Sequence, residues 1–316
     1  MKITILGCGA FGKALATPFL EKNLDIWIWS KFLSELENTK KEWPNIKYTT
    51  SLQEACSLSN LIIIAIPINF LKDTILELKS YYNNQNILIA TKGIDNKTLQ
   101  FSNEIIISIL GNIQIGIISG GSFAVDMKNK KILGLTLATN SSSIQNIIKT
   151  YMESNIIKIQ YTKDLIGVSI CGAIKNITAI GFGILDGAAY PDSSKFLYLT
   201  NAIYEIKYLI STLHGQDKTI LSYAGIDDIM MTCTSSTSRN YTLGKMIGSK
   251  LPKETIDEYK NKTTIEGLGT AKAIYELAKQ KKIILPLTNS IYQILYEEKS
   301  EETLINTLKK KLISIE

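Results

Sequence analysis

Short apolar runs separated by amphipathic stretches fill the first half of the chain, and that alternation predicts a largely parallel sheet flanked by helices. Strands are expected at residues 3–6, 25–29, 61–65, 86–90, 115–119, 132–138 and 156–160, with helices at 13–21, 51–57, 68–79 and 141–151. The run LIIIA at 61–65 is apolar throughout, as a strand buried on both faces must be. Ser51 is placed to cap the short helix behind it. After about Tyr161 the strand pattern stops. A helix over 168–185, VSICGAIKNITAIGFGIL, is apolar on all sides and so belongs inside a domain, with Lys175 as its only charge. An amphipathic helix at 192–214 follows, with Asp192 as its expected N-cap and Gly215 as its stop. A short helix at 217–224 is expected to close at Gly225, and helices are expected at 268–281, 287–297 and 302–313. The pattern divides the chain into an α/β Rossmann-type domain at 1–161 and an all-α domain at 162–316.

The first strand runs directly into Gly7-Cys8-Gly9-Ala10-Phe11-Gly12 and then a helix. In that context Gly7 permits the tight turn, Gly9 admits a pyrophosphate to the backbone, and Gly12 lets helix pack on strand. The diphosphate would sit on the free amides of the helix N-terminus. An αβ turn that binds nothing is the plain alternative. An NAD-selective site has an acid about 20 residues past the glycines. Here the strand ends Trp29-Ser30-Lys31-Phe32, and Ser30 with Lys31 suits a 2′-phosphate, which favours NADP(H), or use of both NADP(H) and NAD(H).

Two further strand ends and the apolar helix carry chemistry. Lys92, in Thr91-Lys92-Gly93, follows the strand at 86–90, where open sheets meet ligands; a surface lysine is its plain alternative. Gly120-Gly121-Ser122-Phe123-Ala124 suits a loop that wraps a ligand, or a simple turn. Lys175, with Asn176 beside it, is costly to bury unpaired, and desolvation lowers an amine's pKa from about 10.4. Such a lysine exchanges protons near neutral pH. The alternatives are snorkelling to the surface or a structural ion pair.

Composition narrows the classes. Hydrophobic residues make up 45% of the 316 and charged residues 20%, ordinary values for a globular protein. The net charge of +6 is not gathered into a tail and reads as compositional bias, not nucleic-acid binding. Of 35 basic residues only Arg239 is arginine, so it is expected where a planar, bidentate fork is required. It lies in a polar stretch, 228–240, that reads as an anion or ligand loop. The single histidine, His214, is expected to cap a helix, which removes any histidine-rich metal site. Four cysteines without a CxxC pair read as reduced core residues and suit the cytoplasm. Lys2 leads straight into a strand, so no signal peptide is expected, and the apolar run 61–68 is too short to span a bilayer.

Taken together, GCGAFG at 7–12, ATKGI at 90–94, GGSFA at 120–124, CGAIKN at 171–176, DDIMMTCTSSTSRN at 227–240 and IEG at 265–267 resemble the NAD(P)-dependent glycerol-3-phosphate dehydrogenases in order and spacing across nearly the whole chain. The resemblance implies that Lys175 is the proton donor and acceptor. Lys92, Gly120, Ser122, Asn176, Asp228, Thr232, Ser238, Arg239 and Asn240 would then line the substrate site. Gly7, Gly9, Ala10, Phe11, Gly12, Lys31, Lys92, Ala124, Arg239, Thr264 and Glu266 would meet the cofactor. It further implies dihydroxyacetone phosphate and sn-glycerol 3-phosphate as substrates, a site between the domains, a homodimer, and a place in phospholipid synthesis. Neither a metal, a nucleic acid nor a membrane span is implied. The chain departs from the family at Phe11, Gly121 and Asn201, where Trp, Pro and Arg are usual, and at Ile226-Asp227, where Leu-Gly is usual. In this reading Asp228 positions Lys175, Asn176 and Thr232 orient it, and Arg239 with Asn240 clamps a phosphate. A lysine-dependent hydroxy-acid dehydrogenase and a non-catalytic nucleotide sensor remain as alternatives.

Overall fold

The computed structural model describes residues 1–122 and 124–310, without the side chains of Asn38 and Glu42. Phe123 and the expected end of the last helix, beyond residue 310, lie outside the described residues. The chain packs as two compact units. The first comprises Met1–Lys92 and Ser102–Val168; the second comprises Gly93–Phe101 and the chain from Ser169 onward.

The first unit is built on one eight-stranded sheet. Its strands are β1 (Lys2–Leu6), β2 (Asp25–Trp29), β3 (Lys47–Thr49), β4 (Leu61–Ile64), β5 (Asn86–Ile89), β6 (Ile115–Ser119), β7 (Leu133–Thr139) and β8 (Ile157–Thr162). The order is β3-β2-β1-β4-β5-β6-β7-β8, with every neighbouring pair parallel except β6 and β7. Leu61, Ile62, Ile63 and Ile64 are all fully buried, as a strand covered by helices on both faces requires. The chain winds outward from β1 to β3 and then returns to β4 on the other side of β1, which makes β1 the switch point where such sheets bind ligands. Leu6 pairs with both Trp29 and Ile64, so Gly7, Ser30 and Ala65 leave the sheet at one level.

The second unit is helical and centred on Leu165–Gly187, whose residues 168–185 are all buried. This helix is long and apolar enough to cross a membrane, yet 89% of its apolar window is covered by the fold. It touches the helix Arg239–Gly248 backbone to backbone. A Cβ on Gly183 would stand 2.2 Å from the Tyr241 carbonyl oxygen, and one on Gly244 2.0 Å from that of Ile180. Gly187 and Gly248 repeat the contact one turn on, so four glycines form the seam.

Several local expectations are corrected. The first helix starts at the glycine turn itself, Ala10–Leu20, because Gly9 serves as its N-cap. Asp192 is the first helical residue behind Pro191 and caps nothing with its side chain. His214, not Gly215, takes the left-handed conformation (φ 65°) after Asp192–Thr212, and the Gly215 amide closes the helix on the Ile210 carbonyl at 2.8 Å. Gly225 sits inside a wide turn, Tyr223–Asp227, where a Cβ would come within 2.1 Å of the Ile220 oxygen. The polar stretch 228–240 is not a loop: it forms the helix Asp228–Thr234, a short turn, and the start of Arg239–Gly248.

Candidate active site

In the first unit the glycine turn leaves β1 at the switch point. Gly7 adopts φ +114°, and a Cβ there would stand 2.6 Å from the Ala65 carbonyl oxygen, so only glycine fits. Gly12 is closed in the same way by the Gly7 oxygen at 2.6 Å. Gly9 differs, because a Cβ there would meet nothing within 4 Å. Nothing in the protein demands a glycine at that position, whereas a diphosphate approaching the backbone would. Lys13 donates the first intrahelical bond to the Gly9 oxygen at 3.0 Å, which leaves the amides of Ala10, Phe11 and Gly12 ahead of it. These residues therefore fit the pyrophosphate of a dinucleotide.

Two other expected elements gather in this unit. The Lys92 ammonium lies 5.4 Å from the centre of the Phe11 ring, so the cation after β5 and the aromatic of the glycine turn share one spot. After β6, Gly120 packs on the next strand, where a Cβ would be 2.4 Å from the Gly134 oxygen. The Ser122 hydroxyl is buried without a hydrogen-bond partner among the described residues. An orphaned hydroxyl in a tight Gly-Gly-Ser turn fits a loop whose polar partner arrives with a ligand. Ala124 opens the helix Ala124–Lys128 behind it.

Beside the glycine turn is a group that no sequence pattern points to. The Glu35 Oε2 accepts from the Ser30 hydroxyl at 2.5 Å and from the Cys8 thiol at 3.1 Å. Burial pushes the Cys8 thiol up, as does its bond to the carboxylate, so the sulfur keeps its proton and donates. Lys31 is exposed. The helix that carries Glu35, Leu33–Glu42, is mostly polar and gives no periodic apolar signal.

In the second unit Lys175 and Asn176, adjacent on the central helix, start two separate polar clusters. Lys175 Nζ donates to the Asp228 carboxylate and, at 3.2 Å, to the Thr232 hydroxyl. Thr232 in turn donates to the Asp228 backbone carbonyl at 2.6 Å, one turn earlier on its own helix. Asp228 is fully buried and Lys175 is 8% exposed, so this ion pair lies out of water except for a small window at the lysine. Burial holds the neighbouring Cys233 thiol far above its ordinary range, which leaves it neutral next to the pair.

Asn176 does not orient Lys175, contrary to expectation. Its amide nitrogen donates to Glu266 at 3.1 Å, and its oxygen accepts from Asn240 at 2.9 Å. The Asn240 oxygen accepts from the Gly267 amide at 2.9 Å, and a Cβ on Gly267 would come within 2.5 Å of that oxygen. Ser238 caps the helix Arg239–Gly248 by accepting from the Tyr241 amide at 3.3 Å. The cap leaves Arg239 exposed in the first turn while Asn240 points inward. Thr264 and Glu266 are exposed at the start of the helix Glu266–Lys281.

Comparison with known proteins bears on what these clusters serve. Residues 2–145 match the family described as NAD-dependent glycerol-3-phosphate dehydrogenase N-terminus, and residues 164–306 match the corresponding C-terminus. A glycerol-3-phosphate dehydrogenase [NAD(P)+] of Staphylococcus epidermidis is 32% identical, covering 98% of this chain and 99% of its own length. Among solved structures, the glycerol-3-phosphate dehydrogenase of Coxiella burnetii superposes with a TM-score of 0.92 at 26% identity, over 98% of this chain and 99% of that one. The Plasmodium falciparum protein of the same description, at 23% identity and a TM-score of 0.88, shares the fold over 100% of this chain and 97% of its own.

Proposed function

Since the chain belongs to the NAD-dependent glycerol-3-phosphate dehydrogenase family, we propose that it interconverts dihydroxyacetone phosphate and sn-glycerol 3-phosphate, with Lys175 carrying the proton. The observation that carries this reading is the buried Lys175–Asp228–Thr232 cluster, in which an amine is fixed by two partners yet keeps 8% exposure. Gly7, Gly9, Ala10, Phe11 and Gly12 hold the dinucleotide, whose reduced nicotinamide supplies the hydride when bound. In the reducing direction Lys175, as ammonium, gives a proton to the oxygen of the former ketone, and Asp228 stabilises the charged amine beforehand. In the oxidising direction the neutral amine takes the hydroxyl proton. Thr232, accepting at 3.2 Å, helps hold Nζ in place. Arg239 offers a fork to a phosphate, and Lys92, Gly120, Ser122, Ser238 and Asn240 are assigned to the substrate on the family resemblance. Lys31, Ala124, Thr264 and Glu266 are assigned to the cofactor on the family resemblance. In this reading the protein acts as a cytoplasmic homodimer that supplies glycerol phosphate for phospholipid synthesis. Its four cysteines are free and buried, in keeping with a reducing compartment.

The test is oxidation of NADH and NADPH, side by side, with dihydroxyacetone phosphate and with a 2-oxo acid. Turnover with the phosphate alone is expected. Lys175→Ala should remove that turnover while dinucleotide binding stays near that of the unaltered protein. Preference for the oxo acid, or substantial activity without the amine, overturns the assignment.

A further inference from the structure

Expectation from the sequence favours a 2′-phosphate, because no acid closes β2. The structure brings one in from the next helix. Glu35 is exposed, but its Oε2 is held by the hydroxyl of Ser30, which is 4% exposed, and by the thiol of Cys8, which is 9% exposed. Ser30 is itself fixed: its oxygen accepts from the Phe32 amide at 3.2 Å. Cys8 lies between Gly7 and Gly9, and Gly7 donates to the Trp29 carbonyl at 2.9 Å. One carboxylate thus bridges the glycine turn and the end of β2. That is the corner of a glycine-turn sheet where an acid meets the adenosine ribose. An ionised carboxylate offers about four lone-pair positions, so two protein donors leave room for ribose hydroxyls.

We infer that Glu35 is the residue that sets dinucleotide choice, accepting from the ribose hydroxyls of NAD(H) and repelling the 2′-phosphate of NADP(H). Lys31 alone favours the phosphate, but it is exposed on a flexible stem, whereas the carboxylate is anchored by two buried donors. A fixed charge discriminates better than a mobile one, because its geometry is prepared in advance. The inference rests on the dehydrogenase reading above and deepens it.

Binding without turnover tests it. NADH and NADPH are titrated against the full chain with no substrate present, following nicotinamide fluorescence, and thermal unfolding of each variant serves as the folding control. The unaltered protein should bind NADH more tightly. Glu35→Gln and Glu35→Ala should each move the NADH-to-NADPH ratio of dissociation constants towards NADPH by about tenfold or more, the worth of one charge-assisted contact. Competition by 5′-AMP and adenosine 2′,5′-bisphosphate should show the same reversal, which places the effect at the ribose. Clear NADH binding with a ratio that neither substitution moves overturns the inference and leaves the dehydrogenase reading standing. Equal or better binding of NADPH by the unaltered protein overturns it as well. Failure to bind either nucleotide overturns both.

Discussion

Lys175 and Asp228 are oppositely charged, in contact and almost wholly withdrawn from water. Removing one of them strands the other. In Asp228→Asn the shape is kept but the ammonium loses its counter-charge, and in Lys175→Met a carboxylate with no exposed surface loses its cation. At an effective dielectric of about 20, two unit charges some 4 Å apart attract by roughly 4 kcal/mol. Breaking a buried pair from one side typically costs about 3–5 kcal/mol. Each single variant should therefore unfold at clearly lower urea, by that order in free energy. The double variant, which buries neither charge, should lose about 2–3 kcal/mol less than the sum of the two single losses. Measuring urea midpoints and slopes for all four proteins isolates that coupling. Turnover separates function from stability: assayed without urea, where it is folded, the double variant should be slower by roughly two to four orders of magnitude, the usual worth of a positioned proton donor. Additive midpoints would show that the two charges do not depend on each other, and full activity in the double variant would remove the lysine from the chemistry.

Other expectations follow from separate features. Arg239→Lys keeps the charge of the exposed Arg239 but loses its fork, so KM for the phosphate substrate should rise about tenfold; an unchanged KM refutes the clamp. Gly244→Ala puts a methyl 2.0 Å from the Ile180 carbonyl oxygen with no flexible atom to yield, so about 3 kcal/mol or more of stability should be lost, read from the urea midpoint. Asp186 accepts from Lys195 at 2.7 Å, Tyr241 at 2.6 Å and Lys245 at 2.9 Å. Burial alone would raise its carboxyl, but those three partners outweigh burial and hold it well below the usual carboxylate range. Its stabilisation is therefore complete above about pH 4, the unfolded value, and fades as pH falls through the lower folded value. Asp186→Asn should lower the thermal midpoint at pH 7, and the gap to the unaltered protein should narrow under strong acid.

What is readable in the sequence depends on how locally each feature is encoded. Gly7, Gly9 and Gly12 are read from spacing because the pattern lies within one turn, although the Ala65 carbonyl that closes in on Gly7 comes from elsewhere in the chain. The buried helix around Lys175 is read from its lack of a polar face, which is a property of that segment alone. The Lys175–Asp228 pair spans 53 positions, and it is legible only through the resemblance, since no period links the two residues. The glycines of the central seam illustrate the opposite case. Gly183 is visible as a small residue, but its meaning lies in the Tyr241 carbonyl that it faces, far along the chain and unmarked in any local pattern. Asn176 defeats the sequence reading for the same reason: beside Lys175 in sequence, it points to Asn240 and Glu266, because neighbours on a helix diverge by about 100°. Glu35 is hidden on both counts. Its helix has too few apolar positions to show a period, and its partners, Cys8 and Ser30, come from a turn and a strand end that only the sheet register brings level. Searching for an acid at a fixed distance along the chain therefore looks in the wrong coordinate. The parallel register of β1 and β2 decides which side chains meet, and a helix that follows β2 reaches the same corner from outside it.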